Sequence, residues 1–254
     1  MLTIVSSGTR KHSTCFEQSK RKRDEDNLAW MKRHMQLLED RTELSDPAYV
    51  ALLGGAADAD FRLRVAQAHV RHDLTPSHWS HAVLFRGSGW TRAQGIWEIS
   101  LEPAKGFAHP PRGNGVQEGK LGAYRSPSRV PNVALIRLPV SLPAMRAALG
   151  TFKMQRNALD AVELMLAWLA YVWGVGRAQN PLLDGLGLPC AALIEALAGA
   201  AGFDLTPGLE SRASCPEAIW QAARWWHEYY GDGQGEEASD RRLHGFWHTE
   251  HFLG

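Results

Sequence analysis

The stretch that most restricts what this chain can fold into is Leu188-Pro189-Cys190-Ala191-Ala192-Leu193-Ile194-Glu195-Ala196-Leu197, a thiol at the start of an apolar helix. Proline suits a first helical turn, where its missing N–H removes no bond, and Gly185 and Gly187 keep the approach free of helix. Cys190, Leu193, Ile194, Leu197 and Ala201 follow helical spacing. The sulfur therefore lies on the stripe that packs inward, and the rest of the chain must supply a layer to cover it. Backbone N–H groups and the positive end of the helix dipole favour a thiolate there. The same position also suits a small core residue, so only a base elsewhere in the chain separates a nucleophile from a packed cysteine.

Such a base stands in Ser77-His78-Trp79-Ser80-His81-Ala82-Val83-Leu84-Phe85. This segment and Gly95-Ile96-Trp97-Glu98-Ile99-Ser100-Leu101 read as short strands rich in β-branched and aromatic residues. Arg86-Gly87-Ser88-Gly89 splits them, which predicts an antiparallel hairpin with His81 opening its first strand. Trp97, Ile99 and Leu101 alternate against Ile96, Glu98 and Ser100, so Glu98 is a lone carboxylate that needs a partner if covered. A histidine, a carboxylate on the next strand and a cysteine at a helix start are the parts of an activated thiol: base, orienter and nucleophile.

In these residues the chain resembles the circularly permuted papain-like cysteine hydrolases, the YiiX and YaeF type, relatives of NlpC-type cell-wall peptidases and more distantly of the lecithin retinol acyltransferase group. His81-Ala82-Val83 resembles that group's histidine strand, Glu98 its strand glutamate, and Cys190 with Leu193-Ile194 its cysteine helix. Ser214-Cys215-Pro216 is similar to the Ser-Pro that follows that helix. The likeness spans Ser77 to Trp226; it departs where no glycine follows His81 at the usual distance and where Ala191 replaces a common serine. The resemblance implies an α+β, permuted papain-like (NlpC-like) fold with a small antiparallel sheet packed against helices. It also implies a Cys190-His81-Glu98 triad acting through a thioacyl enzyme, with the Cys190 backbone N–H meeting the oxyanion and no cofactor.

Composition limits the partners. Net charge is +1, which offers no electrostatic argument for nucleic acid. Three cysteines at these spacings form neither a zinc ribbon nor a disulfide frame, which suits a reducing compartment. Residues 1 to 26 hold the basic run Lys20-Arg21-Lys22-Arg23 but no apolar leader, and are expected to be a flexible tail in a cytoplasmic protein, leaderless export remaining open. Residues 27 to 74 are expected to form a helical extension and 75 to 254 the catalytic domain. Within the extension, Leu28 to Leu38, Pro47 to Leu53 and Phe61 to Val70 are read as helices, the first able to dock on a protein partner.

Farther on, Pro103 to Pro131 is dense in Gly, Pro, Arg and Ser and is read as a long loop over the cleft. Asn132 to Leu138 is a central strand, Ala144 to Leu149 a helix, and Asn157 to Trp173 a buried helix too short in its apolar part to span a membrane. Ser214 and Glu217 have the spacing of a capping box. The last stretch, His244-Gly245-Phe246-Trp247-His248-Thr249-Glu250-His251, reads as an aromatic tail folded over the domain or ordered by a protein partner.

Rival assignments stay open at this level. Should the strand start earlier, His78 is the base and His81 its support. Cys215 competes with Cys190, and Asp184, an acceptor when ionised, makes a poor oxyanion donor. The histidine groups 69, 72, 78, 81 and 244, 248, 251 admit a metal-dependent hydrolase, although the first group straddles the Thr75-Pro76 break and no metal is expected. The leading expectation is a cysteine hydrolase acting on an amide, peptide or isopeptide bond of a peptide or protein substrate. A thioesterase or acyltransferase on the same triad, and a non-catalytic binding protein on the same fold, are its alternatives.

Overall fold

The computed structural model describes residues 16–39, 44–90, 94–102, 113–154, 160–174, 177–231 and 243–250. A seven-stranded sheet runs through them in the order β1-β7-β6-β2-β3-β4-β5. Its strands are β1 (Phe16–Gln18), β2 (Pro47–Gly54), β3 (His81–Phe85), β4 (Gly95–Glu98), β5 (Gln117–Lys120), β6 (Asn132–Ser141) and β7 (His244–His248). Neighbours are antiparallel except β1 and β7, which run parallel. The described helices are α1 (Asn27–Glu39), α2 (Asp58–Ala66), α3 (Leu142–Met154), α4 (Ala161–Val172), α5 (Pro189–Ala200) and α6 (Pro216–Gly231). The molecule is thus a mixed α and β protein of the α+β class, and none of its described helices is long and apolar enough to cross a membrane.

Alternation along the strands divides the interior into two layers. Ala48, Val50 and Leu52 of β2 join Ala82 and Leu84 of β3 and Ala134 and Ile136 of β6 in a large core with α3, α4 and α5. Tyr49, Ala51 and Leu53 face the other way, with Val83, Phe85, Val133 and Leu135, and α1 covers them through Trp30, Met31, Met35 and Leu38. Burying each of those α1 side chains contributes about 2 kcal/mol, so the helix is an integral wall of the fold. It leaves little of that face for a partner.

Several expectations change here. Pro47 to Leu53, read as a helix, is the central strand β2, buried at every position. Ala-Tyr-Val-Ala-Leu-Leu is continuous in apolar residues, and such a run fits a strand covered on both faces as well as a helix turn. Residues 16 to 26 are no loose tail: β1 pairs with β7, and the Arg21 guanidinium donates to Asn27, Val130 O and Pro131 O. The sheet draws strands from both sides of residue 74, so the expected split into a helical extension and a separate catalytic domain does not describe it. The expected loop from 103 to 131 contains β5 and a 3-10 turn, Leu121–Tyr124; residues 103 to 112 lie outside the described residues. The aromatic tail is the strand β7, and His251 is likewise outside the described residues. The β3 and β4 hairpin, β6 and the start of α5 at Pro189 follow the sequence reading.

Candidate active site

Three features of local structure bring distant residues to one end of the sheet. His81 is the first residue of β3, beside Leu53 of β2, and Glu98 is the last residue of β4. Glu98 lies over β5 because Gly119 is there: a Cβ at that position would stand 2.5 Å from Glu98 Oε1. Cys190 is the second residue of α5, whose N-cap, Leu188, offers no side-chain bond to the helix start. Gly187 allows the chain leading into α5 to press against the 212–214 segment, since a Cβ there would fall 2.1 Å from Ser214 O. Gly187 N–H donates to Arg212 O at 2.7 Å and Leu188 N–H to Ser214 O at 2.8 Å, while Trp168 Nε1 donates to Gly187 O at 2.8 Å.

His81, Glu98 and Cys190 lie together. His81 Nε2 is 2.7 Å from Glu98 Oε2. The Cys190 sulfur lies close enough to the same imidazole to act on its charge. Burial works to lower the His81 pKa, but the charge and hydrogen bonding of Cys190, then those of Glu98, outweigh it and push it up to about 10. Burial likewise opposes ionisation of Glu98, yet the hydrogen bond and charge of His81 hold its carboxyl below the usual range. The imidazole is thus favoured in its charged form between the carboxylate and the sulfur.

A fourth member of the cluster escapes sequence reasoning. Tyr124 donates its hydroxyl to Glu98 Oε2 at 2.5 Å, and its ring lies 5.8 Å from the His81 ring. Burial and then the Glu98 charge raise its phenol well above the ordinary value, so it stays a donor. Tyr124 closes a 3-10 turn inside a segment without periodicity, and nothing in its sequence setting marks it out. Gln117, opposite Glu98 on β5, has a buried side-chain amide without a partner among the described residues. Such an unmet donor costs about 1 to 3 kcal/mol.

The site is narrow. Cys190 is 2 % exposed, and solvent reaches the group chiefly through the side chains of His81, 16 % exposed, and Glu98, 11 % exposed. An open crevice around the sulfur is therefore not what the fold provides. A separate cleft of about 300 Å³, lined by none of these three residues, has Phe16, Trp220 and Trp247 in its walls and Arg71, His78 and Thr249 among its polar residues. His78 thus faces this cleft, while Glu98 is taken by His81 and Tyr124.

The other sequence candidates separate. Cys215 is also buried, and burial, only partly offset by the backbone N–H groups of Ala218 and Glu217, pushes its thiol up to about 12. Ser214 and Glu217 do not form a capping box: Ser214 Oγ donates to Glu195 Oε1 at 3.2 Å and Glu217 accepts from Ser77 Oγ at 2.6 Å. Asp184 ends a 3-10 turn, Pro181–Asp184. Among the histidines, His69 Nδ1 bonds Ala66 O, and His248 meets Arg21 N–H and Glu250. Among the described residues no group of three or more His, Cys, Asp or Glu stands close enough to hold a metal. Set against protein-family models, curated proteins and solved structures, the chain finds no match in any of the three.

Proposed function

We propose that the chain is a cysteine hydrolase of the circularly permuted papain-like type, cleaving an amide or peptide bond, isopeptides included. The observation that carries this reading is the His81 imidazole lying between the Glu98 carboxylate and the Cys190 sulfur at the start of α5. His81 withdraws the thiol proton, and Glu98, itself bonded by Tyr124, fixes the tautomer and stabilises the imidazolium. The thiolate adds to the substrate carbonyl carbon. The tetrahedral oxyanion then collapses as His81 returns its proton to the leaving amine, giving a thioacyl enzyme and the first product. Water, deprotonated by His81, adds to the thioester, and its collapse frees the acid and regenerates the thiol. Cys190 N–H, in the first turn and facing no earlier carbonyl of the helix, supports the oxyanion. A reducing, cytoplasmic setting suits a reaction that needs Cys190 as a free thiol.

The test is an iodoacetamide-type active-site probe followed by peptide mapping. The reading expects rapid labelling at Cys190 that is lost in Cys190→Ala and strongly slowed in His81→Ala, with both variants folded by circular dichroism. Equal, slow labelling of the native chain and His81→Ala sinks it and leaves a binding protein as the better account.

A further inference from the structure

One buried carboxylate fastens the segment that leads to His81 to the helix that follows the Cys190 lead-in. Glu217, in the first turn of α6 and fully buried, accepts from Ser77 Oγ at 2.6 Å with one oxygen and from Gln221 Nε2 at 2.6 Å with the other. Arg71 approaches the second oxygen at 3.4 Å. Glu217 N–H donates to Gln67 Oε1 at 2.9 Å, and Gln67 Nε2 donates to Trp79 O at 2.8 Å. Ser77 Oγ in turn receives Trp79 N–H at 3.0 Å, and Arg64 Nε donates to Ser77 O at 2.6 Å. Residues 77 to 79 precede β3 and form no part of its ladder; these side-chain bonds, with Ser77 N–H to Arg64 O at 3.0 Å and Asn132 Nδ2 to His78 O at 3.1 Å, set their course. Immediately before Glu217, the carbonyls of Arg212 and Ser214 hold Gly187 and Leu188, the two residues ahead of Pro189. One turn after it, Trp220 packs on Trp79 at 5.2 Å between ring centroids.

We propose that Glu217 is a positioning residue: through Ser77 and Gln67 it sets the segment bearing His81 against the lead-in to Cys190, and so fixes the distance between imidazole and sulfur. This role rests on the Cys190 and His81 reading above. Its physical basis is that proton transfer between the two groups needs hydrogen-bond range, and an error of a fraction of an ångström at either segment is felt there directly. A capping glutamate would serve its own helix start alone. Here the carboxylate reaches across to Ser77 instead, and the Glu217 N–H goes to Gln67 Oε1.

The pH dependence of Cys190 alkylation by iodoacetamide, read by peptide mapping in the full-length chain, tests the proposal. Glu217→Ala and Ser77→Ala should each shift the rise of rate with pH toward that of His81→Ala, slowing alkylation near neutral pH about tenfold. Glu217→Gln still offers an oxygen to Ser77 Oγ and should restore most of the native profile. A native profile in both alanine variants, beside a clearly different one in His81→Ala, overturns the positioning role and leaves the Cys190 and His81 pairing intact. So does a lowered melting temperature with an unchanged profile, which is what a purely structural bond would give. One profile shared by the native chain and His81→Ala removes the pairing itself. Should Glu217→Ala fail to fold, Ser77→Ala decides, because it deletes the same bond without disturbing a buried charge.

Discussion

The two cysteines among the described residues invite comparison, each within one residue of a helix start, each following a coil and each all but buried. Cys190 begins α5 and Cys215 immediately precedes α6. Local sequence and helix polarity treat them alike, yet their sulfurs meet opposite surroundings. Cys190 meets an imidazole backed by a carboxylate, whereas Cys215 is enclosed with only backbone N–H groups and neighbouring negative charge, and its thiol is pushed up to about 12. Proximity to a helix start therefore does not decide what a sulfur meets here. What sets Cys190 apart is the charged imidazole beside it, since negative charge developing on a buried sulfur must be met where water is scarce.

That contrast is sharpened or broken by substitutions whose expected effects fall in order. Cys190→Ala should abolish probe labelling and turnover, while Cys215→Ala keeps both within about twofold; either change costs about 1 kcal/mol of stability through the lost buried atom, checked by denaturant unfolding. Reactivity that follows Cys215 instead would invert the comparison. His81→Ala should slow alkylation of Cys190 at neutral pH about 100-fold, measured by mass spectrometry over time. Glu98→Gln keeps a bond to His81 but removes its charge, and should slow the same reaction about tenfold; Tyr124→Phe, one step farther out, about threefold.

The smallest expected effects are on stability against pH. The folded state raises His81 from its ordinary 6.5 to about 10, so its stabilising contribution is complete below 6.5 and fades as pH climbs through 10. Melting temperature should drop by a few degrees across that window, and less in His81→Gln. Glu195, on the same helix as Cys190, is raised from 4.5 to about 7 by burial, against hydrogen bonding that includes the Ser214 hydroxyl. A raised carboxyl also stabilises when protonated, so its contribution is complete below pH 4.5 and lost through pH 7. Glu195→Gln should flatten that part of the melting curve, and an unchanged slope would count against a neutral Glu195.

The elements that read well from sequence are those whose local signals agree. Pro189 after a glycine-rich approach marks the start of α5, and the aromatic alternation around Arg86-Gly87-Ser88-Gly89 marks the β3 and β4 hairpin. Failure came where one pattern serves two structures or where the signal lies across the chain. The apolar run at 48–53 reads as a helix until flanking strands fill both its edges. β5, Gln-Glu-Gly-Lys, has no alternation because it is an edge strand with little to bury. Ser214 and Glu217 match a capping box, but buried partners on other segments, Glu195 and Ser77, satisfy the two side chains.

What the sequence determined by itself is chemistry with a local cause: a thiol at a helix start, a histidine opening a strand, a carboxylate on the strand beside it. Only the tertiary structure decided which thiol meets the imidazole, that Tyr124 supports Glu98, and that Glu217 reaches Ser77 across 140 positions. Turn and periodicity signals act over a few residues, whereas the pairing of buried charges is settled by which segments the packed core brings within hydrogen-bond reach.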